Sequence, residues 1–349
     1  MAASTARLGS FARRGSIAIA SFGRRRVRYL FFYSIARQPM FSIYILTYNE
    51  EIDIADCIES ALLSDDVVVV DSLSSDRTVD IARRYPVRVE QHRFESHGKQ
   101  RTWMLRSIPT KYEWVYILEA DERMTPELFE ECCQTIRDRE TRSEDDDVVG
   151  YYVAERVIFM DRWIRRSTQY PRYQLRLFCK EKVWFDDYGH TEREVCDGKT
   201  GFLKETYPHY TSGKGLSRWI EKHNRYSTDE AIETLRQLHY GNVRWYELFF
   251  GRSEVERRRA LKDLSLRLPF RPLVRFVYMY FVLGGLFDGR AGFAWCTLQA
   301  FYEYLILLKV DELKRKGQIP PPPKSLSSSE EEDGSVTLQT PSEGSSSQA

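Results

Sequence analysis

Four short apolar runs, each separated from the next by a helical pattern, constrain this 349-residue chain more than any other feature. Residues 41–48 (FSIYILTY), 67–70 (VVVV), 87–90 (VRVE) and 114–118 (WVYIL) have the β-branched and aromatic content of buried strands. Between them, Ile54, Ile58 and Leu62 recur at i, i+4 and i+8 as one stripe of an amphipathic helix, and residues 78–84 and 97–106 read as two more helices. Strands alternating with helices predict an α/β fold with a parallel, doubly wound sheet. Such a sheet binds ligands beyond the carboxyl ends of its strands. The first strand runs into Asn49 and Glu50, the second ends in Asp71, and the fourth ends in Glu119, Ala120 and Asp121. Residues two apart on an extended segment point the same way, so Glu119 and Asp121 can converge on one ligand. The simplest is a divalent cation with a phosphate-bearing substrate behind it. One acidic turn is ordinarily a solvated loop or a helix cap; three at one sheet edge point to a ligand.

A nucleotide fits that edge, because one aspartate can accept hydrogen bonds from a base or ribose while another holds a metal bridging a diphosphate. Neither GxxxxGK[ST] nor GxGxxG is present, so a P-loop or dinucleotide fingerprint does not explain it. The net charge of +1 gives no global field that would favour nucleic acid. Charge is nevertheless uneven: residues 1–40 hold eight arginines and no acid, and the last 25 residues hold five acids and no base. The first segment predicts a flexible basic arm. The residues from 317 onward, with four consecutive prolines from Pro320 and then serine and acid, predict a disordered tail. The six cysteines form no CxxC pair and read as packing residues in a reducing compartment.

After the acidic turn, Thr125 caps a helix with Pro126 at its first position, and residues 137–147 read as a charged surface loop. Short strands with basic turns around Arg162, Arg165, Arg166 and Arg172 follow, and residues 216–238 form a long helix. Two apolar stretches, 273–287 and 291–310, are joined by Asp288-Gly289-Arg290. The first is short and contains Arg275, and the second contains Glu303, so a helical hairpin in or on the membrane fits better than two spans. Flanking cations would meet anionic headgroups on the cytoplasmic side.

TYNEE at 47–51, VVDSLSSDRT at 69–78, HGKQRTWML at 97–105 and LEADER at 118–123 resemble family 2 glycosyltransferases of the GT-A fold, most of all the lipopolysaccharide-core and exopolysaccharide branch. The resemblance continues through RLFCKEKVWFDDYGHTERE at 176–194, the run at 207–231 and the apolar hairpin, about 41–316 in all. It implies a Rossmann-like, mostly parallel sheet flanked by helices over 41–240, with a nucleotide half to 125 and an acceptor half from 126. A C-terminal membrane-associating helical region would occupy 241–316. It further implies that Thr47, Asn49, Glu50 and Asp71 lie on the nucleotide side, with Asp71 at the base and Glu119 at the ribose or base side. Asp121 would hold a magnesium or manganese ion with help from His209. Glu119 departs from the aspartate usual at the first position of the DxD motif.

The implied reaction is transfer of a sugar from a nucleotide-sugar donor to a hydroxyl of a lipid-linked or cell-envelope glycan, with inversion. The acceptor hydroxyl must lose its proton as it attacks, and the candidates for the base are His190, Glu192 and Glu194, with Glu192 favoured. Lys99 and Arg101 would face the diphosphate, or be exposed helix charges. The arginines at 162, 165, 166 and 172 would bind an acceptor's phosphate, or form a solvated basic loop. A nucleotidyltransferase would also use metal-binding aspartates on such a sheet, but ordinarily shows a Gly-rich basic loop where TYNEE is acidic. A degenerate nucleotide-sugar-binding scaffold is the non-enzymatic alternative.

Overall fold

The computed structural model describes residues 39–140, 147–168, 170–188, 191–211, 213, 215–240, 270–318 and 320–321. The basic arm up to residue 38, His190 and almost all of the acidic tail lie outside the described residues. One mixed sheet carries the fold, built from β1 (Phe41–Thr47), β2 (Val67–Asp71), β3 (Arg88–Gln91), β4 (Trp114–Glu119), β5 (Val148–Phe159), β6 (Arg162–Trp163), β7 (Arg172–Cys179) and β10 (Lys199–Tyr210). Its order is β10-β5-β7-β4-β1-β2-β3, with β6 paired to β5. β1 runs parallel to both β2 and β4, with Thr47 opposite Asp71 and Leu46 opposite Glu119, so these chain ends are level.

The expected α/β class is therefore observed, and the apolar runs of β1, β2 and β4 are buried almost throughout. One face of the sheet packs Ile43, Ile45 and Val69 against Ile54 and Ile58 of α1 (Ile54–Ala61) and Leu128 and Cys132 of α4 (Pro126–Glu140), with Ala82 of α2 (Thr78–Ala82) in the same cluster. The other face packs Tyr44, Val68 and Ile117 against Met104 and Leu105 of α3 (His97–Ser107). Each such side chain contributes about 1.5–3 kcal/mol by leaving water. All six cysteines are free, and five are buried.

The charged run expected as a loop from residue 137 is instead the end of α4, which continues to Glu140. Gln134 Nε2 donates to Asp138 Oδ1 at 2.6 Å one turn on, and Arg139 Nε donates to Val148 O at 3.0 Å while its guanidinium lies over the Trp114 ring. The run is a solvated helix face, with residues 141–146 outside the described residues. A separate hairpin, β8 (Val183–Tyr188) with β9 (Thr191–Cys196), lies against α3. The long helix α5 spans Gly215–Tyr240. The apolar region forms α6 (Arg271–Val277), a π-helical continuation (Tyr278–Val282), a 3-10 turn (Gly285–Asp288) and α7 (Gly289–Arg315). The expected joining turn is thus placed a few residues early, and Gly289 and Arg290 already belong to α7.

Candidate active site

Two loops at the carboxyl edge are locked to each other before any acid is considered. Asn49 sits in the left-handed region at φ 53°, which asparagine tolerates, and its Oδ1 accepts from Ser75 N at 2.8 Å. Asn49 N donates to Ser74 Oγ, Glu50 N to Thr78 Oγ1 and Glu51 N to Asp76 Oδ2. Asp71 is wholly buried, and its carboxylate accepts from Ser74 N, Ser74 Oγ and Gln91 Nε2. A carboxylate has about four acceptor positions, so most of its capacity already shapes this wall. Thr47 Oγ1 is buried beside it with no hydrogen-bond partner among the described residues.

The acidic turn is held from the opposite end of the sheet. Arg123 N donates to Pro208 O at 3.1 Å and Tyr210 N to Asp121 O at 2.8 Å, and Glu122 bridges His209 as an antiparallel pair. This places His209 Nε2 3.2 Å from Asp121 Oδ2, while His209 Nδ1 donates to Glu155 Oε1 at 2.7 Å. Burial opposes protonation of His209, but the flanking carboxylates outweigh it and raise its pKa well above the ordinary value. Glu155 is held down to about 2: burial opposes this, and His209 and Arg172 overcome it.

Below the turn lies a charge the strand pattern conceals. Arg176 on β7 is 1% exposed, donates to Glu122 Oε1 at 2.5 Å and to Tyr207 Oη at 3.3 Å, and lies 3.8 Å from Glu119 Oε1. Glu122 Oε2 in turn accepts from Glu119 N at 3.0 Å. Burial pushes the Glu122 carboxyl up to about 8 despite Arg176. Arg176→Met removes the buried donor shared by Glu122 and Tyr207 and the cation nearest the ionised Glu119, and unfolding titrations should show a loss of about 3–5 kcal/mol. A loss below about 1 kcal/mol, the range of an exposed pair, would show that the pair does not hold this turn.

Arg101 joins the two halves of the site. α3 closes onto β8 because Gly98 has no Cβ, which would lie 2.7 Å from Asp187 Oδ1, and Thr102 Oγ1 donates to Phe185 O. The buried Arg101 guanidinium then reaches Glu119 Oε1 at 3.3 Å and Glu192 Oε1 on β9 at 2.8 Å. Burial works against the Glu119 carboxylate, but Arg176 and Arg101 hold its pKa below the ordinary value. Glu192 is shifted upward by burial, which Arg101 and His97 only partly offset. Glu194, on the same side of β9, accepts from Tyr152 Oη at 2.9 Å instead. Lys99 turns outward to Glu95 at 2.9 Å and is 63% exposed, the surface alternative raised for it above.

Four participants were not singled out from the sequence. Glu155 and Arg176 are charges inside strands that are mostly apolar, a signal they share with Arg156 and Arg172. Glu122 was passed over inside LEADER. Lys222 on α5 is exposed overall, yet it feels the field of this edge: desolvation lowers its pKa, but Tyr226, Asp121, Glu119 and Glu50 outweigh this and leave it raised.

Residues 42–192, which contain the acidic turn, Arg101 and Glu192, match the model of Glycosyl transferase family 2. This matched stretch, less than half of the chain, is similar to family 2 glycosyltransferases. It is similar to the lipopolysaccharide core biosynthesis glycosyltransferase LpsC of Rhizobium meliloti (strain 1021), with 25% identity over 290 residues, 79% of this chain and 93% of the relative. It is similar also to the uncharacterized glycosyltransferase RT0209 of Rickettsia typhi, with 25% identity over 79% of this chain and 88% of the relative. Among solved structures, S. aureus TarS 1–349 aligns with 80% of this chain and 92% of its own at 16% identity and a TM-score of 0.33. The protein is therefore a glycosyltransferase.

The family implies a divalent cation, and Asp121 with His209 suits one. Two ligands each about 2.1 Å from one ion sit about 3 Å apart in neighbouring positions. The observed 3.2 Å fits that spacing, and a bound cation would have to displace the Nε2 proton that the neighbouring carboxylates hold on His209. Glu155 on the far ring nitrogen fixes the imidazole, as a carboxylate behind a metal-bound histidine does. No cluster of three or more His, Cys, Asp or Glu side chains suited to a metal occurs among the described residues. Two protein ligands leave the remaining positions to phosphate oxygens and water, as magnesium sites commonly do.

Proposed function

We propose that this protein moves a sugar from a nucleotide-sugar donor to a hydroxyl of a lipid-linked or cell-envelope glycan, with inversion, at the cytoplasmic face of a membrane. The observation that carries the reading is the single guanidinium of Arg101 between Glu119, on the donor edge, and Glu192, on the acceptor half. Thr47, the Asn49–Glu50 loop and Asp71 wall the nucleotide side. Asp121 and His209 would hold magnesium or manganese, which when bound stabilises charge on the departing diphosphate. Lys222 adds a cation at the same edge. Glu192 accepts the proton of the acceptor hydroxyl, and its burial supports this because a raised pKa brings a carboxylate nearer the basicity the step needs. Glu194 positions the hairpin through Tyr152.

A panel of nucleotide sugars, each with and without magnesium or manganese, tests the reading through donor binding and slow donor hydrolysis. One donor should bind more tightly with metal and be hydrolysed. If no donor binds under either condition, the reading fails.

A further inference from the structure

The helical run 271–282 carries an unusual surface. Leu273, Val274, Val277, Tyr278, Phe281 and Val282 are all 41–70% exposed. These pairs recur every four residues and so occupy one face, while Met279 on the opposite side is buried. Phe287, 65% exposed, adds to the apolar surface beyond the run. Twelve helical residues extend only about 18 Å, too short to cross a bilayer.

Residues 285–315 are long enough to cross and contain an 18-residue window with mean hydropathy 1.2. The C-terminal half of α7 is nonetheless bound to α5: Ile306 and Val310 pack on Ala231 and Leu235, and Lys309 Nζ donates to Asn224 Oδ1 and Thr228 Oγ1. Glu303, midway along α7, pairs with Arg271 at 2.7 Å.

The glycosyltransferase sheet brings cations to the same place. Arg162, Arg165 and Arg166, at and after the β5–β6 tip, are exposed. The Arg166 guanidinium lies 4.9 Å over the Phe287 ring, and Arg162 Nη1 lies 3.2 Å from where a Cβ on Gly289 would be. Arg172, grouped with them in the sequence, is paired with Glu155, whereas these three form no ion pair among the described residues. Exposed guanidiniums that meet no carboxylate among the described residues, beside exposed aromatic and aliphatic side chains, complement an anionic interface, where the cations meet headgroups and the apolar face sinks to the acyl boundary.

We propose that the apolar face of residues 273–282, with Phe287 and the arginines at 162, 165 and 166, docks on an anionic phospholipid bilayer, which the chain lies on and does not cross. This deepens the membrane placement proposed above by naming the face, and its readout is lipid binding, not sugar transfer. The test is flotation of the full chain with vesicles of phosphatidylcholine alone or with phosphatidylglycerol added. The wild type should float with the anionic vesicles and little with the neutral ones. Phe281→Ser with Val282→Ser should weaken binding on the order of tenfold. Arg162→Glu with Arg165→Glu should weaken it by about 25-fold or more, about fivefold for each cation lost, and remove the lipid preference. All four side chains are exposed, so circular dichroism should be unchanged. Wild-type flotation by both folded variants would overturn the proposal while leaving some other membrane contact in place. A wild type that floats with neither vesicle overturns both. A lipid-free dimer abolished by the serine pair, seen by light scattering, would assign the face to a second copy instead.

Discussion

Asp121→Asn should remove metal-dependent sugar transfer, by about 10²–10³-fold or more, while the protein stays folded. A neutral amide is a poor ligand for a hard cation. Its oxygen still accepts a hydrogen bond, so His209 keeps a partner on one nitrogen and Glu155 on the other. The turn itself is held by main-chain bonds through Arg123, Asp121 and Tyr210, which the substitution does not touch. Calorimetric titration of the donor with magnesium or manganese should show the metal-dependent part of binding gone, with an unchanged circular dichroism spectrum. A folded variant that transfers sugar near the wild-type rate would show that Asp121 is not the metal ligand.

The second large effect belongs to Glu192→Gln, which should keep donor affinity and lose the transfer step by roughly 10²-fold or more. Glu194→Gln keeps an acceptor for Tyr152 Oη and should change transfer little. A pH profile separates a base from a structural residue. The base must be ionised, and burial raises its pKa, so the acid limb of kcat/KM should lie above the ordinary glutamate value. Arg101 works against that rise; Arg101→Met should therefore move the limb to still higher pH, and Arg101→Lys should restore part of the difference. His97, Glu119, Arg176 and Asp187 are the other charges facing or neighbouring Glu192, and none changes in this comparison. If Glu192→Gln transfers normally, or the limb ignores Arg101, the base lies elsewhere.

The parallel half of the sheet was legible because local patterns determine it. Apolar runs of β-branched residues set β1, β2 and β4, and the polar residues that close them mark the ligand edge. The second half was legible only as a set of short strands. Its order depends on pairings between distant residues, such as Trp114 with Cys179 and Gly150 with Phe178, and no local period encodes them. The site followed the same division. Asp121 and Glu119 stand out in one turn, but the pairing of Asp121 with His209 was suggested by family resemblance alone. Arg176 was missed because a buried arginine looks like any charge on a strand until its partner, Glu122, is located 54 residues away. Lys99 and Arg101 are two apart in sequence, yet on a helix they face different directions, one to solvent and one to the site.

The position of β7 between β4 and β5 bears on how the chain is made. As the polypeptide leaves the ribosome, β4 emerges before its eventual neighbour on that side, and β5 emerges next without being that neighbour. Until Arg172–Cys179 has been synthesised and inserted, β4 presents an open hydrogen-bonding edge of the kind that recruits stray strands. A nascent chain that ends before His209 also lacks the imidazole opposite Asp121, so on the metal role proposed for that pair it could not yet transfer sugar.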